Sequence, residues 1–478
     1  MLGVLNMAIE KEELIHKYVK AIKEGNAAVF AGAGLSQPSG FVNWKELLRP
    51  LAKDIGLDIE KEKDYLAVAQ FYKNRKGSTT PISQEILNAF GKDARINENM
   101  RILARLPIFT YWTTNYDELL ENGIREANRN PDVKSDYKQL PIMLPNRDAI
   151  VYKMHGDVKH PTDAVLTKTD YELYSNKYPM FRTLLEGDLI SKKFLFIGFS
   201  FEDPNLDYVL GQIRSLLGEK VPEHFWFAKR AQLKDYKNPE EYRYTVARQE
   251  LQEENLRSYG IQTVFVDEWP EVTDILLAIE KASKMKNVFI SGSASDFNKP
   301  WDKSKAEELA SKLAAELVRD DCRITSGFGL GIGSSVVNGA LDVIYTEKFK
   351  HVDEHLCLRP FPQNISDPIE RDNRWTRYRE DMLTDTGISI FLFGNKFEGG
   401  KIVEANGCIQ EFRIARDKGN IIIPIGSTGF AAATILNEVK SNIADYSYLE
   451  TYIDVLEKET NIGKIINVIK EIINNIQN

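Results

Sequence analysis

The sequence predicts an α/β protein made of two Rossmann-like domains, each a mostly parallel sheet with helices on both faces. Three observations carry that prediction. The first is an apolar run that breaks straight into a glycine-rich turn, Ala27-Ala28-Val29-Phe30-Ala31-Gly32-Ala33-Gly34-Leu35-Ser36. The second is its counterpart far along the chain, Asn287-Val288-Phe289-Ile290-Ser291-Gly292-Ser293-Ala294. Each reads as the first strand of a nucleotide-binding sheet, where glycine lets the backbone approach a diphosphate and the turn amides face the anion. The third is the alternation of short apolar strands with helical segments through both halves, the pattern of parallel sheets.

The elements follow in order. Residues 10–25 have helical spacing, and Gly25-Asn26 ends that helix before the strand of 27–31. Asn43 is placed to cap a helix beginning at Trp44. Strands are predicted at 109–113, 149–154, 193–198, 224–228 and 262–266, with Asp203-Pro204-Asn205 opening a helix to about Leu217. An amphipathic helix over 271–285 connects the halves, so the domains are expected to span 1–283 and 284–478. The second half then alternates a strand at 287–291, a helix at 303–319, strands at 323–325, 355–359 and 387–393, a helix across Glu411, and a strand at 420–425.

Composition narrows the classes. At 478 residues the chain outgrows one ordinary core, and about two to four domains are expected. A net charge of −8 gives no basic face for nucleic acid. There is no apolar run of roughly 18 residues to span a bilayer. Met1-Leu2-Gly3-Val4-Leu5-Asn6 lacks the basic start of a signal peptide. Cys322, Cys357 and Cys408 are odd in number and widely spaced, which fits the reducing cytoplasm and offers no metal module.

In an open parallel sheet, ligands bind beyond the carboxyl ends of the strands. In the first domain those ends carry Gly32-Ala33-Gly34-Leu35-Ser36, Thr114-Asn115-Tyr116-Asp117, His155-Gly156 and Gly198-Phe199-Ser200. Taken alone, a Gly-x-Gly is more often a tight turn, and a histidine at a strand end is as often structural as catalytic. Converging on one crevice they are more specific. His155 suits a general base because imidazole titrates near neutral pH. Asn115 can hold a water or a ribose without adding charge. Asp117 either accepts from a carboxamide or caps the helix that starts at Glu118, and both roles stay open. His16, His160, His224, His351 and His355 have no such context and are expected at the surface.

Over roughly residues 20–270 these motifs resemble the sirtuin family, through the Gly-Ala-Gly-x-Ser loop, the Asn-x-Asp strand end, the His-Gly pair and the Gly-x-Ser strand end. The resemblance implies an NAD pocket lined by Ala31, Gly32, Ala33, Gly34, Ser36, Asn115, Asp117, Gly198, Ser200 and Asn205, with Asn115 and His155 catalytic. Sirtuins that deacylate lysine carry four zinc-binding cysteines between the His and Gly-x-Ser segments, whereas residues 156–197 contain none. The loop Gln37-Pro38-Ser39-Gly40-Phe41 also departs from their Pro-Asp-Phe-Arg run. An NAD-cleaving site without a metal is the expectation.

The second domain resembles the SLOG superfamily through Ser291-Gly292-Ser293-Ala294, Ser326-Gly327-Phe328-Gly329-Leu330-Gly331 and Gly407-Cys408-Ile409-Gln410-Glu411. Where LOG phosphoribohydrolases have Pro-Gly-Gly-x-Gly-Thr, this chain has Val403-Glu404-Ala405-Asn406-Gly407-Cys408, which favours binding over catalysis. Arg379 and Lys396 suit phosphate, and Glu411 a ribose diol or an adenine amine. On sequence alone, the charge-rich 377–381 equally reads as a solvated helix face that would include Arg379.

A sirtuin-like domain fused to a SLOG domain at this length resembles the effectors of the bacterial Thoeris anti-phage system. That resemblance implies a TIR-domain partner that makes a cyclic ADP-ribose isomer. It implies a signal pocket at Gly292, Ser293, Gly329, Leu330, Gly331, Phe361, Arg379, Lys396, Gly407 and Glu411, and a homo-oligomer of four or more chains. NAD is then the substrate, destroyed on activation. The alternatives are an NAD-dependent protein deacylase and a non-catalytic nucleotide sensor.

Overall fold

The computed structural model describes residues 9–201, 203–218, 220–297 and 299–477. The opening residues 1–6, read as no signal peptide, lie outside the described residues. The chain divides into two compact units, Met1–Glu280 and Lys281–Asn478, and the division falls within the helix Pro270–Ser283.

The first unit is built on seven strands: β1 (Ala27–Ala31), β2 (Thr110–Thr113), β3 (Pro131–Lys134), β4 (Ala149–Lys153), β5 (Lys193–Ile197), β6 (His224–Lys229) and β7 (Ile261–Val266). Their spatial order is β3-β4-β2-β1-β5-β6-β7, and every pairing is parallel. Interior strands of such a sheet are covered on both faces, which is why β1 and β2 are buried along their whole length. Phe30 of β1 stacks on Phe196 of β5 with ring centroids 5.3 Å apart. Strand order reverses between β1 and β5, so the ligand-binding crevice of this topology opens there.

Asn43 caps its helix as expected, accepting from the Glu46 amide at 3.0 Å. Between β1 and β2 the chain makes the helices Trp44–Asp54, Tyr65–Lys76, Thr80–Phe90 and Glu98–Arg105, of which the sequence predicts the first. Strand β3 escapes prediction because Pro131, Asp132 and Lys134 are poor strand formers. Its place at the sheet edge tolerates a proline at the first position.

The second unit has strands β8 (Asn287–Ser293), β9 (Arg323–Ser326), β10 (Leu356–Leu358), β11 (Ile388–Phe393) and β14 (Ile421–Ile425) in the order β10-β9-β8-β11-β14, all parallel. A separate antiparallel hairpin, β12 (Asn395–Glu398) with β13 (Lys401–Glu404), follows β11 and is not predicted from sequence. The helix Lys303–Arg319 falls where its spacing places it. Val288, Ile390 and Ile423 from the sheet pack in one core with Leu309, Leu313, Val336 and Ile435 from the helices. Here the strand order reverses between β8 and β11. No described helix is long and apolar enough to cross a membrane.

Candidate functional site

The crevice of the first unit starts from a backbone lock. The Gly32 amide donates to the Ile197 carbonyl and the Gly34 amide to that of Gly198, both at 2.9 Å. A Cβ on Gly32 would stand 2.3 Å from the Gly198 oxygen, and one on Gly34 2.9 Å from the Gly198 Cα. Gly198 itself has φ +65°, and its Cβ would stand 2.2 Å from the Leu35 nitrogen. These three glycines therefore let the loops after β1 and β5 press together, main chain on main chain, across the point where strand order reverses.

Asn115 is wired into that lock. Thr113 Oγ1 donates to the Ala31 carbonyl at 2.9 Å and accepts from the Asn115 amide at 3.0 Å, turning the chain at the end of β2. Asn115 Nδ2 then donates to the Gly32 carbonyl at 3.0 Å and to Ser36 Oγ at 2.9 Å. With both amide hydrogens committed, the side-chain carbonyl is what Asn115 can offer to a water or hydroxyl. Asp117 lies two residues on, buried. Its Oδ1 accepts from the Leu119 amide at 3.0 Å, the capping role, while Oδ2 has no hydrogen-bond partner. Burial raises its carboxyl above the ordinary value, against the Leu119 amide and the Ser36 hydroxyl. One carboxylate thus caps the helix and keeps a spare acceptor.

Behind these residues Lys153, wholly buried at the end of β4, donates to the carbonyls of Tyr116 and Asp117 at 3.1 and 2.6 Å. It also pairs with Asp157 at 2.7 Å and Glu121 at 3.1 Å. Burial alone would lower this ammonium, but the two carboxylates outweigh it and hold it charged.

His155 follows β4 and is 1% exposed. The rings of Tyr171 and Tyr174 meet it edge-on at 5.3 and 6.5 Å. Its Nε2 pairs with Asp203 Oδ2 at 3.1 Å, and Nδ1 has no hydrogen-bond partner. Asp203 Oδ1 caps the helix Pro204–Leu217, accepting from the amides of Asn205 at 2.9 Å and Leu206 at 3.2 Å. Burial pushes the Asp203 carboxyl up, but His155 and the two amides prevail and hold it below the ordinary value. Asn205 Nδ2 is buried without a partner, and Ser200 is exposed at the mouth. Sequence reading took Asp203 only as a helix opener and passed over Tyr171 and Tyr174. The Asp-Pro capping signature was the available signal for Asp203; the tyrosines had none.

In the second unit the loop after β9 packs on the loop after β8. A Cβ on Gly329 would stand 2.0 Å from the Gly292 oxygen, and one on Gly331 2.1 Å from the Ala294 oxygen. Asn395, fully buried, accepts from the amides of Ser295 and Asp296 at 2.8 and 3.1 Å and pins the same turn from β12. Ser293 Oγ donates to the Asn395 carbonyl at 3.1 Å.

Arg379 is 5% exposed and so is not part of the solvated face, which Arg377, Glu380 and Asp381 do form. Its guanidinium sits 4.8 Å over the ring of Phe361 and 5.9 Å from that of Trp375. Nε lies 3.5 Å from Glu411 Oε1, while Nε and Nη1 have no hydrogen-bond partner. A Cβ at Gly407 would stand 2.9 Å from Arg379 Nη2, so that glycine makes room for the guanidinium. Ser291 Oγ donates to Glu411 Oε2 at 2.6 Å, yet burial still raises the Glu411 carboxyl. Leu330 is 71% exposed at the rim. Lys396 stands in the hairpin, paired with Glu398 at 2.9 Å.

Two histidines expected at the surface are buried and structural. His224 starts β6, where its Nδ1 accepts from the Phe194 amide at 3.2 Å and burial lowers its pKa to about 3. His355 pairs through Nδ1 with the Cys322 carbonyl at 3.2 Å. Among the described residues no cluster of histidine, cysteine and carboxylate side chains is placed to hold a metal ion.

Fold and crevices define a two-domain protein, a SIR2-like nucleotide-binding domain followed by a SLOG domain. Family comparison agrees: residues 110–263 match the SIR2-like domain, and residues 271–476 the Sir2- and TIR-associating SLOG family. The chain belongs to the ThsA family. It is 43% identical to the NAD(+) hydrolase ThsA of Bacillus cereus (strain MSX-D12), over 98% of both chains. It is also 43% identical to the NAD(+) hydrolase ThsA of Enterococcus faecium, over 98% of this chain and all of that one. The protein of that name from Cytobacillus dafuensis is likewise 43% identical, over 93% of this chain and 92% of its own.

Proposed function

We propose that this chain hydrolyses NAD+ to nicotinamide and ADP-ribose in its first domain, and that a cyclic ADP-ribose isomer bound in the second switches the reaction on. The observation that carries the reading is a set of buried polar atoms without partners at the reversal point of the first sheet. Asp117 Oδ2, His155 Nδ1 and Asn205 Nδ2 come from three separate segments. A buried polar atom left unpaired costs about 1–3 kcal/mol, so such a cluster marks a place where a polar ligand completes the structure. The activity borne in the relatives' names is the one this crevice suits.

In that reaction the glycosidic C–N bond breaks and its electron pair passes to the pyridinium nitrogen, so nicotinamide leaves neutral and needs no acid. The water oxygen bonds to the anomeric carbon of an oxocarbenium-like state, and the water's proton passes to His155 and then to solvent. Asn115 holds the water or a ribose hydroxyl through its carbonyl, and Asp117 Oδ2 accepts from the carboxamide.

The second domain supports sensing through Arg379, whose Nη1 has no partner beside the ring of Phe361. That arrangement fits a nucleotide diphosphate with a stacked base. A TIR-domain synthase supplies the signal, the chain acts as a cytoplasmic homo-oligomer, and NAD depletion ends infection abortively. The test is to incubate the full chain with NAD+, alone and with a panel of cyclic ADP-ribose isomers, and follow nicotinamide and ADP-ribose by chromatography. Release that rises with one isomer is expected. Cleavage that requires an added acyl-lysine peptide would replace the reading with a deacylase, and no cleavage under any condition with a non-catalytic sensor.

A further inference from the structure

We propose that Asp203 is the positioning residue of the hydrolytic site. One carboxylate oxygen holds the His155 imidazole through Nε2, and the other ties it to the N-terminus of the helix that carries Asn205. The inference rests on the reading of His155 as the base.

The geometry comes from three places. Asp203 Oδ2 lies 3.1 Å from His155 Nε2, and Tyr171 Oη donates to the same oxygen at 3.3 Å. The other oxygen is spent on the amides of Asn205 and Leu206. Two residues before Asp203, Phe201 has φ +57°, costly for a bulky side chain. Its ring is held by those of Phe196, Phe199 and Trp226 at 4.9, 5.2 and 5.4 Å. Strain of this kind persists only where packing fixes the result, and the result here is a carboxylate placed against a buried imidazole.

The chemical consequence is a choice of nitrogen. A carboxylate facing Nε2 keeps the proton on that nitrogen and leaves the lone pair on Nδ1 as the base. As the proton arrives from water, the imidazolium forms against a negative charge already in place, with no solvent to reorganise. Other titratable groups around His155 are spoken for or neutral. Tyr171 and Tyr174 are buried phenols held above their ordinary range by burial. Lys153, on its own strand, pairs with Asp157 from the following turn and with Glu121 from the helix after β2. Asp117 shares the crevice but is tied through Oδ1 to the Leu119 amide, and Asp203 is the carboxylate seen against the ring.

Asp203→Asn tests this in the full chain, since asparagine keeps a helix-capping oxygen and nearly the same volume while losing the charge. Nicotinamide release is followed against pH, with the cyclic ADP-ribose isomer panel present. We expect kcat to fall by about tenfold or more, with KM little changed. The acid limb of the kcat profile should move to lower pH, because an imidazole that has lost its anionic neighbour protonates less readily. Tyr171→Phe removes one donor to the carboxylate and leaves the cap alone, so it should move the same limb to higher pH. That second variant decides the matter if Asp203→Asn does not fold. Unchanged kcat and an unmoved acid limb in both folded variants, with His155→Ala inactive, would overturn the role of Asp203 while the base survives. A fully active, folded His155→Ala would overturn the base, and this inference with it.

Discussion

In the first domain the glycine lock joins the loops after β1 and β5, across the reversal point; in the second it joins those after β8 and β9, to one side of it. The same main-chain device therefore builds two different crevices. In the first, the lock closes the floor, and the groups around it are Asn115, His155, Asp117 and Asp203, which can accept, hold or move protons. In the second crevice, hydrogen bonds from Ser293 and Asn395 tie the turn after β8 to the hairpin that follows β11. The charged groups of this crevice are Arg379 and Glu411, 3.5 Å apart. Arginine stays protonated at any working pH, so this crevice presents a fixed positive charge suited to an anion. The contrast teaches that one backbone plan can carry two different sets of side chains, one rich in hydrogen-bond acceptors and one built on a buried arginine.

Removing the second domain gives the largest expected effect on that contrast. A chain ending at 283 should release nicotinamide without any signal if the second domain acts only as a restraint. A soluble, folded first domain that stays inert, beside an active liganded full chain, would show that the second domain completes the site.

Next come the substitutions at the chemistry. His155→Ala and Asn115→Ala should each lose about 10²–10⁴-fold in turnover, the usual contribution of a positioned acid–base group, and keep a folded circular dichroism spectrum, with Asn115→Ala melting lower because the Gly32 carbonyl and Ser36 lose its donors. Near-normal NAD loss in either would end its catalytic assignment.

A smaller effect is expected at the second crevice. Hydrogen bonds to charged groups are worth roughly 1.5–3 kcal/mol, so Arg379→Ala should weaken binding of the activating isomer by about ten- to a hundredfold. Because binding and activation share one coupling free energy, the same variant should need correspondingly more isomer to switch on, with KM for NAD unchanged. Calorimetry showing wild-type affinity would move the signal to another place.

The smallest effect separates the domains by acid stability. His224 is held neutral in the folded first domain down to about pH 3, whereas an unfolded chain protonates it near 6.5. Between those values the unfolded state binds the extra proton. Stability is therefore complete above about pH 6.5 and is lost as pH falls, by at most about 1.4 kcal/mol per unit. Denaturant titrations from pH 7 to 4 should show this slope in the first domain, and His224→Leu should flatten it. An unchanged slope in that variant would assign the acid sensitivity to other groups.

Strands β1, β2, β4, β5, β8 and β11 were legible because buried parallel strands are rich in apolar, aromatic and β-branched residues. Their polar endings, Asn115, His155 and Ser293, stood out against those runs. The helix Pro204–Leu217 announced itself through Asp203 and Pro204, whose capping chemistry is local. Edge strand β3 and the hairpin β12–β13 were not legible, because Pro131, Asp132 and Lys396 have no pattern until pairing gives them one. The sequence by itself also could not tell a cap from a charge partner: Asp203 reads as a helix start, and only the fold sets its second oxygen against His155. It could not tell a solvated arginine from a buried one either, since the charge-rich stretch around Arg379 has the same composition in both cases. Local patterns determined where the chain pairs and turns. Which polar groups lose water, and beside which neighbour, is a property of contacts between distant segments, and the tertiary structure alone decided it.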